Sequence, residues 1–151
     1  MSELLTRDEY AAIAAELSYP TDAYIDGAYR PAQSGRTLET RNPATGAVLG
    51  PLAACSADDV DLAVRRAREA FERGDWSRLH PGERKRIMIR LGKLIQRNRH
   101  ELAVLESLDS GKPIRDCATV DVPETIQVLQ WHAETIDKLY DQTAPVGDDA
   151  V

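Results

Sequence analysis

LESLDSGKPI, Leu105 to Ile114, is the stretch on which the reading of this chain turns. An apolar, helix-like run ends there in Ser-Gly-Lys-Pro, and Gly-Lys is either a phosphate-gripping loop or the end of a helix. A phosphate loop follows the pattern GxxxxGK[ST], with a strand before it. Here Gly111-Lys112 is followed by Pro113, so the magnesium-binding hydroxyl is missing. Glu106 stands where the first glycine belongs, and the preceding residues have helical spacing. The local reading is therefore preferred. Gly111 takes the left-handed conformation that closes a helix. Lys112 meets the negative end of the helix dipole, and Pro113 prevents continuation. Asp109 is the odd member, because a carboxylate near a helix C-terminus is unfavourable unless something offsets it. A solvated or locally bonded aspartate and a ligand to a cation are both open at this point.

Working back from Leu105, Leu102, Leu105 and Leu108 carry one helix, and Ile87, Leu91, Leu94 and Ile95 carry the helix before it. Arg97-Asn98 interrupts them, with Asn98 and Glu101 spaced as a fresh N-cap. Earlier still, Ser56 and Asp59 form a helix-opening pair. Val60, Ala63, Val64, Ala67 and Phe71 line one face, and Gly74 ends that helix. Beyond Ile114, a last helix is expected from about Asp121, with Pro123 in its first turn and a stripe of Ile126, Leu129, Ala133, Ile136 and Tyr140.

Upstream the period changes. Tyr24-Ile25 and Ala28-Tyr29 flank Asp26-Gly27, a hairpin turn pair. TLETR (37–41) leads through Asn42-Pro43-Ala44-Thr45-Gly46 into AVLGPLAAC (47–55), a second hairpin. Before these, Thr6 and Glu9 form a capping box for a helix within Met1–Ser18, stopped by Pro20. The expected class is α+β: N-terminal β-hairpins followed by several α-helices. Two hairpins and separate helices make no closed architecture, and their open strand edges imply a partner.

Composition narrows the function. The chain has 151 residues, 42% hydrophobic and 29% charged, with a formal net charge of −6. That suits one packed domain and argues against nucleic-acid binding, which needs a basic face. No apolar run has bilayer length, and the acidic N-terminus lacks a secretory pattern, so the expectation is a cytoplasmic protein with no membrane partner. Cys55 and Cys117 form no CxxC pair, and His80, His100 and His132 are scattered, which disfavours zinc. Both thiols read as free, small buried side chains. Cys117 as a nucleophile is opposed by Asp116 and Asp121, with no histidine near in sequence. Asp58-Asp59 and Asp148-Asp149 read as solvated carboxylates. The basic run in GERKR (82–86) reads as a solvated face, with an anion or subunit contact as the alternative. There is no G-x-G-x-x-G, GxSxG or HExxH. No catalytic and no cofactor-binding residue is assigned.

Four stretches, in order and spacing, resemble the beginning of the NAD(P)-dependent aldehyde dehydrogenase superfamily. They are YIDGAYRPAQSG (24–35), NPATGAVLG (42–50), ADDVDLAVRRAREAFERGDWSRLHPGERKRIMIRLGKLI (57–95) and ELAVLESLDSGKPI (101–114). The last helix, DVPETIQVLQWHAETIDKLYDQTAP (121–145), is most similar to the branch that oxidises γ-glutamyl-γ-aminobutyraldehyde and related ω-amino aldehydes in putrescine and polyamine breakdown. The resemblance implies a fragment of the α/β aldehyde dehydrogenase fold. Residues 1–20 would be an N-terminal helix. Residues 21–141 would be the N-terminal part of the cofactor-binding domain, with hairpins in 23–55 and helices in 57–140. Residues 142–151 would start an oligomerisation arm.

The family's chemistry uses a cysteine thiolate, NAD or NADP, a glutamate-activated water and an oxyanion hole. Its PWNFP, cofactor-lysine, base-glutamate and FxxxGQxC motifs are not in this sequence. The implied function is thus an N-terminal segment of an enzyme taking aldehydes to carboxylic acids, inactive alone and completed by the remainder of the subunit or an oligomer through it. The alternative is a stand-alone interaction module that docks on a full-length relative. The resemblance also implies a structural sodium or potassium site at Thr40, Arg41 and Asp109, incomplete without a ligand from further along the subunit. Arg41 departs from the small apolar residue expected there, which a main-chain ligand tolerates.

Overall fold

The structure is a computed structural model in which residues 4–138 are described. It divides into two compact units. One comprises Leu17–Ser77 with Leu108–Gly111; the other comprises Met1–Glu16, Arg78–Ser107 and Lys112–Val151.

The unit containing Leu17–Ser77 holds both hairpins and one helix. Strands β1 (Ala23–Ile25) and β2 (Ala28–Arg30) pair antiparallel, Tyr24 opposite Tyr29. Asp26 and Gly27 both adopt positive φ, 55° and 77°. This is the left-handed twist that a two-residue hairpin turn needs. The Tyr24 and Tyr29 rings meet edge to face at 5.1 Å. Strands β3 (Thr37–Arg41) and β4 (Val48–Ala53) form the second sheet. Its register slips between Thr40 and Arg41, so that Thr40 faces Gly50 while Arg41 faces Val48. The connecting turn is closed by Asn42, whose Oδ1 accepts from the Ala44 amide at 2.9 Å and whose carbonyl accepts from the Gly46 amide at 2.7 Å.

Helix α2 (Ala57–Arg73) opens at Ser56 and ends at Gly74 in the left-handed conformation. Asp59, only 4% exposed, takes the Ser56 amide (2.8 Å), the Ser56 hydroxyl (3.0 Å) and the Gln33 amide (3.0 Å). One carboxylate thereby fixes both the helix start and the β2–β3 connection. The apolar face foreseen on this helix is largely uncovered: Val60, Val64 and Phe71 are each more than half exposed.

The other unit is helical. Helix α1 (Arg7–Glu16) carries the expected capping box, with the Thr6 amide donating to Glu9 at 2.8 Å and the Glu9 amide to the Thr6 hydroxyl at 3.3 Å. Helices α3 (Pro81–Arg97) and α4 (Arg99–Ser110) follow, α4 running into the first-described unit over its last residues. His80 caps α3 by accepting the Gly82 amide on Nδ1 at 3.1 Å. The break at Asn98 is present, and Asn98 works on both sides of it. Its Nδ2 donates to the Leu94 carbonyl at 3.1 Å and closes α3, while its carbonyl takes the Leu102 amide at 3.0 Å and opens α4 from the expected N-cap position. The Leu94 carbonyl takes the Asn98 backbone amide as well, at 3.1 Å, a doubled bond that the spacing to Glu101 does not reveal.

The last helix departs further from expectation. Helical backbone begins at Ile114, in the single turn α5 (Ile114–Asp116), and passes through a π turn (Cys117–Asp121) into α6 (Val122–Thr135). Asp121 is therefore not an N-cap; its backbone is right-handed helical. Pro123 has no N–H and crowds the carbonyl four residues back. The wider turn, with the Val122 amide reaching the Cys117 carbonyl, accommodates it inside a continuous helix. Ala103, Cys117 and Val122 form the core, flanked by Ile95, Leu102, Ile114, Ala118 and Ile126. Lys85 ties α3 to α6 through Glu134 (3.1 Å) and to Asp137 just beyond it (3.2 Å). Of the expected stripe, Ala133 is buried and Ile126, Leu129 and Ile136 are half-buried. Tyr140 and the arm proposed for residues 142–151 lie outside the described residues, as does the start of the N-terminal helix at Met1. No described helix is long and apolar enough to cross a membrane.

Candidate functional site

Two of the three residues assigned to a cation site meet within one unit. The Thr40 hydroxyl donates to Asp109 Oδ1 at 3.1 Å. The slip in the β3–β4 ladder falls at Thr40/Arg41, and such bulges re-aim side chains. On the opposite side, Gly111 ends α4 with φ 75°, and a Cβ there would stand 2.9 Å from Pro43 Cγ. Gly111 thus lies directly against Pro43 in the Asn42–Gly46 turn. The Thr40 hydroxyl supplies the compensation that the Asp109 carboxylate required at its helix end.

Arg41 does not join them. Its guanidinium turns into its own hairpin, to the Gly46 carbonyl at 3.1 Å and Glu39 at 2.5 Å. It leaves only its main chain as a donor toward a cation. Carboxylate, hydroxyl and carbonyl oxygens are the donor types a hard monovalent or divalent cation prefers.

A second constellation went unforeseen. Ligand atoms of Glu106, Cys117 and Asp121 lie within 4.8 Å of one another. Lys112 Nζ sits 2.5 Å from Asp121 and 4.0 Å from Glu106, so an ammonium already supplies positive charge to this group. Its hydrogen bond with Asp121 raises the lysine's pKa. Cys117 has no exposed surface, and its thiol is pushed up, first by burial and then by Glu106 and Asp121. That is the opposite of what a nucleophile needs. The π turn brings Cys117 and Asp121 beside Glu106; the four-residue spacing of Cys117 and Asp121 was the signal available in sequence. Cys55, expected to be buried, is exposed just after β4. The strand ends before it, so no second layer covers the thiol.

The geometry is matched by known structures. A γ-glutamyl-γ-aminobutyraldehyde dehydrogenase from Burkholderia cenocepacia superposes with TM-score 0.89 at 43% identity, over 94% of this chain and 29% of that one. An indole-3-acetaldehyde dehydrogenase of P. syringae, solved with NAD+, superposes with TM-score 0.89 at 44% identity, over 97% and 30%. The fold is a fragment of the aldehyde dehydrogenase fold. In sequence, the aminoacetaldehyde dehydrogenase of Pseudomonas aeruginosa is 58% identical over 151 residues, all of this chain and 30% of that protein. An NADP/NAD-dependent aldehyde dehydrogenase of Escherichia coli is 40% identical over 87% of this chain and 26% of its own length. The profile of the aldehyde dehydrogenase family matches residues 29–151. The chain belongs to the aldehyde dehydrogenase family, as its N-terminal region. It spans 26% to 30% of the length of the relatives just described.

Proposed function

We propose that this segment is the N-terminal scaffold of an enzyme that oxidises an amine-bearing aldehyde to its carboxylic acid with NAD or NADP. In this reading the enzyme is a cytoplasmic oligomer serving putrescine breakdown. The observation that carries it is the 58% identity with aminoacetaldehyde dehydrogenase over all 151 residues, which span 30% of that relative. The nucleophile, oxyanion donors, general base and nucleotide site would lie in the other two thirds of the subunit, and the 151-residue chain alone would be inactive. The depth and raised pKa of Cys117 support this. So do the exposed apolar residues Val64 and Phe71 on α2 and, separately, Ile87 and Leu91 on α3, each of which leaves apolar area for the remaining subunit to cover.

Thr40, Asp109 and the Arg41 main chain would contribute to a sodium or potassium site, completed by a ligand from outside this chain. The Thr40–Asp109 bond supports that assignment.

The same exposed faces favour a second reading, in which the segment docks as a separate module on a full-length relative. Co-purification with such a subunit supports it; a monodisperse monomer that ignores the subunit counts against it.

The test of the first reading is direct. The purified 151-residue chain, given aminoacetaldehyde and NAD, is expected to form no NADH and to bind no NAD by calorimetry. Turnover by the chain alone overturns the proposal.

A further inference from the structure

We propose that helix α1 is held on α4 by a pH-sensitive latch between Tyr10 and His100, closed at neutral pH and released by mild acid. This inference is independent of the proposed activity.

Tyr10 is the one buried residue of α1. Ile13 and Ala14 are half-buried, while Ala11, Ala12, Ala15 and Glu16 are exposed. Tyr10 is therefore the most deeply set side chain of the helix. That side chain meets the His100 ring at 6.1 Å between centroids, tilted by 60°, and its hydroxyl accepts the Leu5 amide at 3.4 Å. His100 Nδ1 is buried and has no hydrogen-bond partner. A neutral imidazole tolerates this by leaving a lone pair there. An imidazolium must place an N–H there with no acceptor, at a cost set by the burial of that atom.

The charges around the ring do not rescue the imidazolium. Arg99, the neighbour on α4, repels it. Glu9, from α1, attracts it, but that carboxylate already accepts from the Thr6 amide (2.8 Å) and hydroxyl (2.7 Å). Tyr10 contributes no charge. Burial, then Arg99, lowers the histidine's pKa. The sign follows. The docked state prefers the neutral ring, so its advantage is complete above the released-state value of about 6.5 and declines as pH falls below it. His100 is the side chain on this contact whose ordinary value lies nearest neutrality, and burial holds it lower.

The experiment is amide hydrogen exchange on the 151-residue chain at about pH 7.5 and about pH 5.5, corrected for intrinsic exchange, with His100 titrated by NMR in the same samples. The expected result is a severalfold loss of protection at residues 10–16 in acid, with a midpoint that follows the His100 titration, while α4 amides at 103–106 keep theirs. In His100→Phe, which keeps a ring but not the proton, α1 protection should be independent of pH. Equal protection of α1 at both values overturns the latch. So does a midpoint unrelated to His100, simultaneous loss in α4, or the same acid loss in the phenylalanine variant. The wild-type midpoint decides the matter even where His100→Phe does not fold.

Discussion

Thr40 on the bulged edge of β3 donates its hydroxyl to Asp109 at the end of α4, 3.1 Å away and 69 residues later in the chain. This bond pins the second hairpin to the close of the helix. Because both groups are partly solvated, Thr40→Val should cost about 1 kcal/mol or less in urea unfolding. The cation reading adds a sharper expectation. In a chimera that joins this segment to the rest of an aldehyde dehydrogenase subunit, which supplies the missing ligand, replacing a bulky organic cation by sodium or potassium at equal ionic strength should raise the melting temperature of the otherwise unsubstituted protein. It should leave Asp109→Ala unmoved. An identical response in both proteins would remove Asp109 from any such site.

Gly111 is fixed twice, by φ 75° and by Pro43 at 2.9 Å from where a Cβ would lie. Gly111→Ala should lose about 1–2 kcal/mol from left-handed strain, and more from the clash. Combining it with Pro43→Ala should recover the clash but not the strain, a non-additivity that a double-mutant cycle on unfolding free energies measures. Simple additivity would mean that the two residues do not touch.

Asp59 makes α2 sensitive to acid. Its pKa is lowered chiefly by the Ser56 amide and then by the Gln33 amide. A depressed carboxylate stabilises the fold above the unfolded value of about 3.9, and this contribution is lost as pH falls through the lower folded value. Melting temperatures followed downward from neutral pH should therefore fall less steeply below about pH 4 in Asp59→Asn than in the wild type. Glu9 and Asp137, also depressed, leave a residual slope in the variant. Parallel curves would contradict the assignment.

The two thiols should behave oppositely. Cys55 is exposed and Cys117 has no accessible surface. A disulfide reagent should modify one thiol promptly in the folded chain and the second only in denaturant. Cys55→Ser should abolish the fast phase. Prompt reaction of Cys117 would undo the claim that it is a core side chain.

Much of this was legible in sequence for physical reasons that are local. Asp26-Gly27 and Asn42 through Gly46 announce their turns because so few residues accept the angles or side-chain bonds those turns need. Ser56 and Asp59 announce a helix start, and Gly111 a helix end. Residues 114–123 were not legible. A proline normally breaks a helix, and only a tertiary core around Cys117 and Val122 makes a π turn the better solution. Cys55 misled because apolar character does not say which faces another layer will cover. Of the cation residues, the Thr40–Asp109 contact came from resemblance rather than spacing. Of the Glu106–Cys117–Asp121 group, only the four-residue spacing of Cys117 and Asp121 showed in sequence; their meeting with Glu106 depends on the π turn.

The proposed function has these residues scaffold an aldehyde-oxidising subunit whose chemistry lies elsewhere in it. Its most direct test is a chimera in which this segment replaces the matching N-terminal part of the Pseudomonas aeruginosa aminoacetaldehyde dehydrogenase. The chimera should be a soluble protein that forms NADH from aminoacetaldehyde at a rate close to that of the parent. A folded chimera with no turnover, beside an active parent, would contradict it.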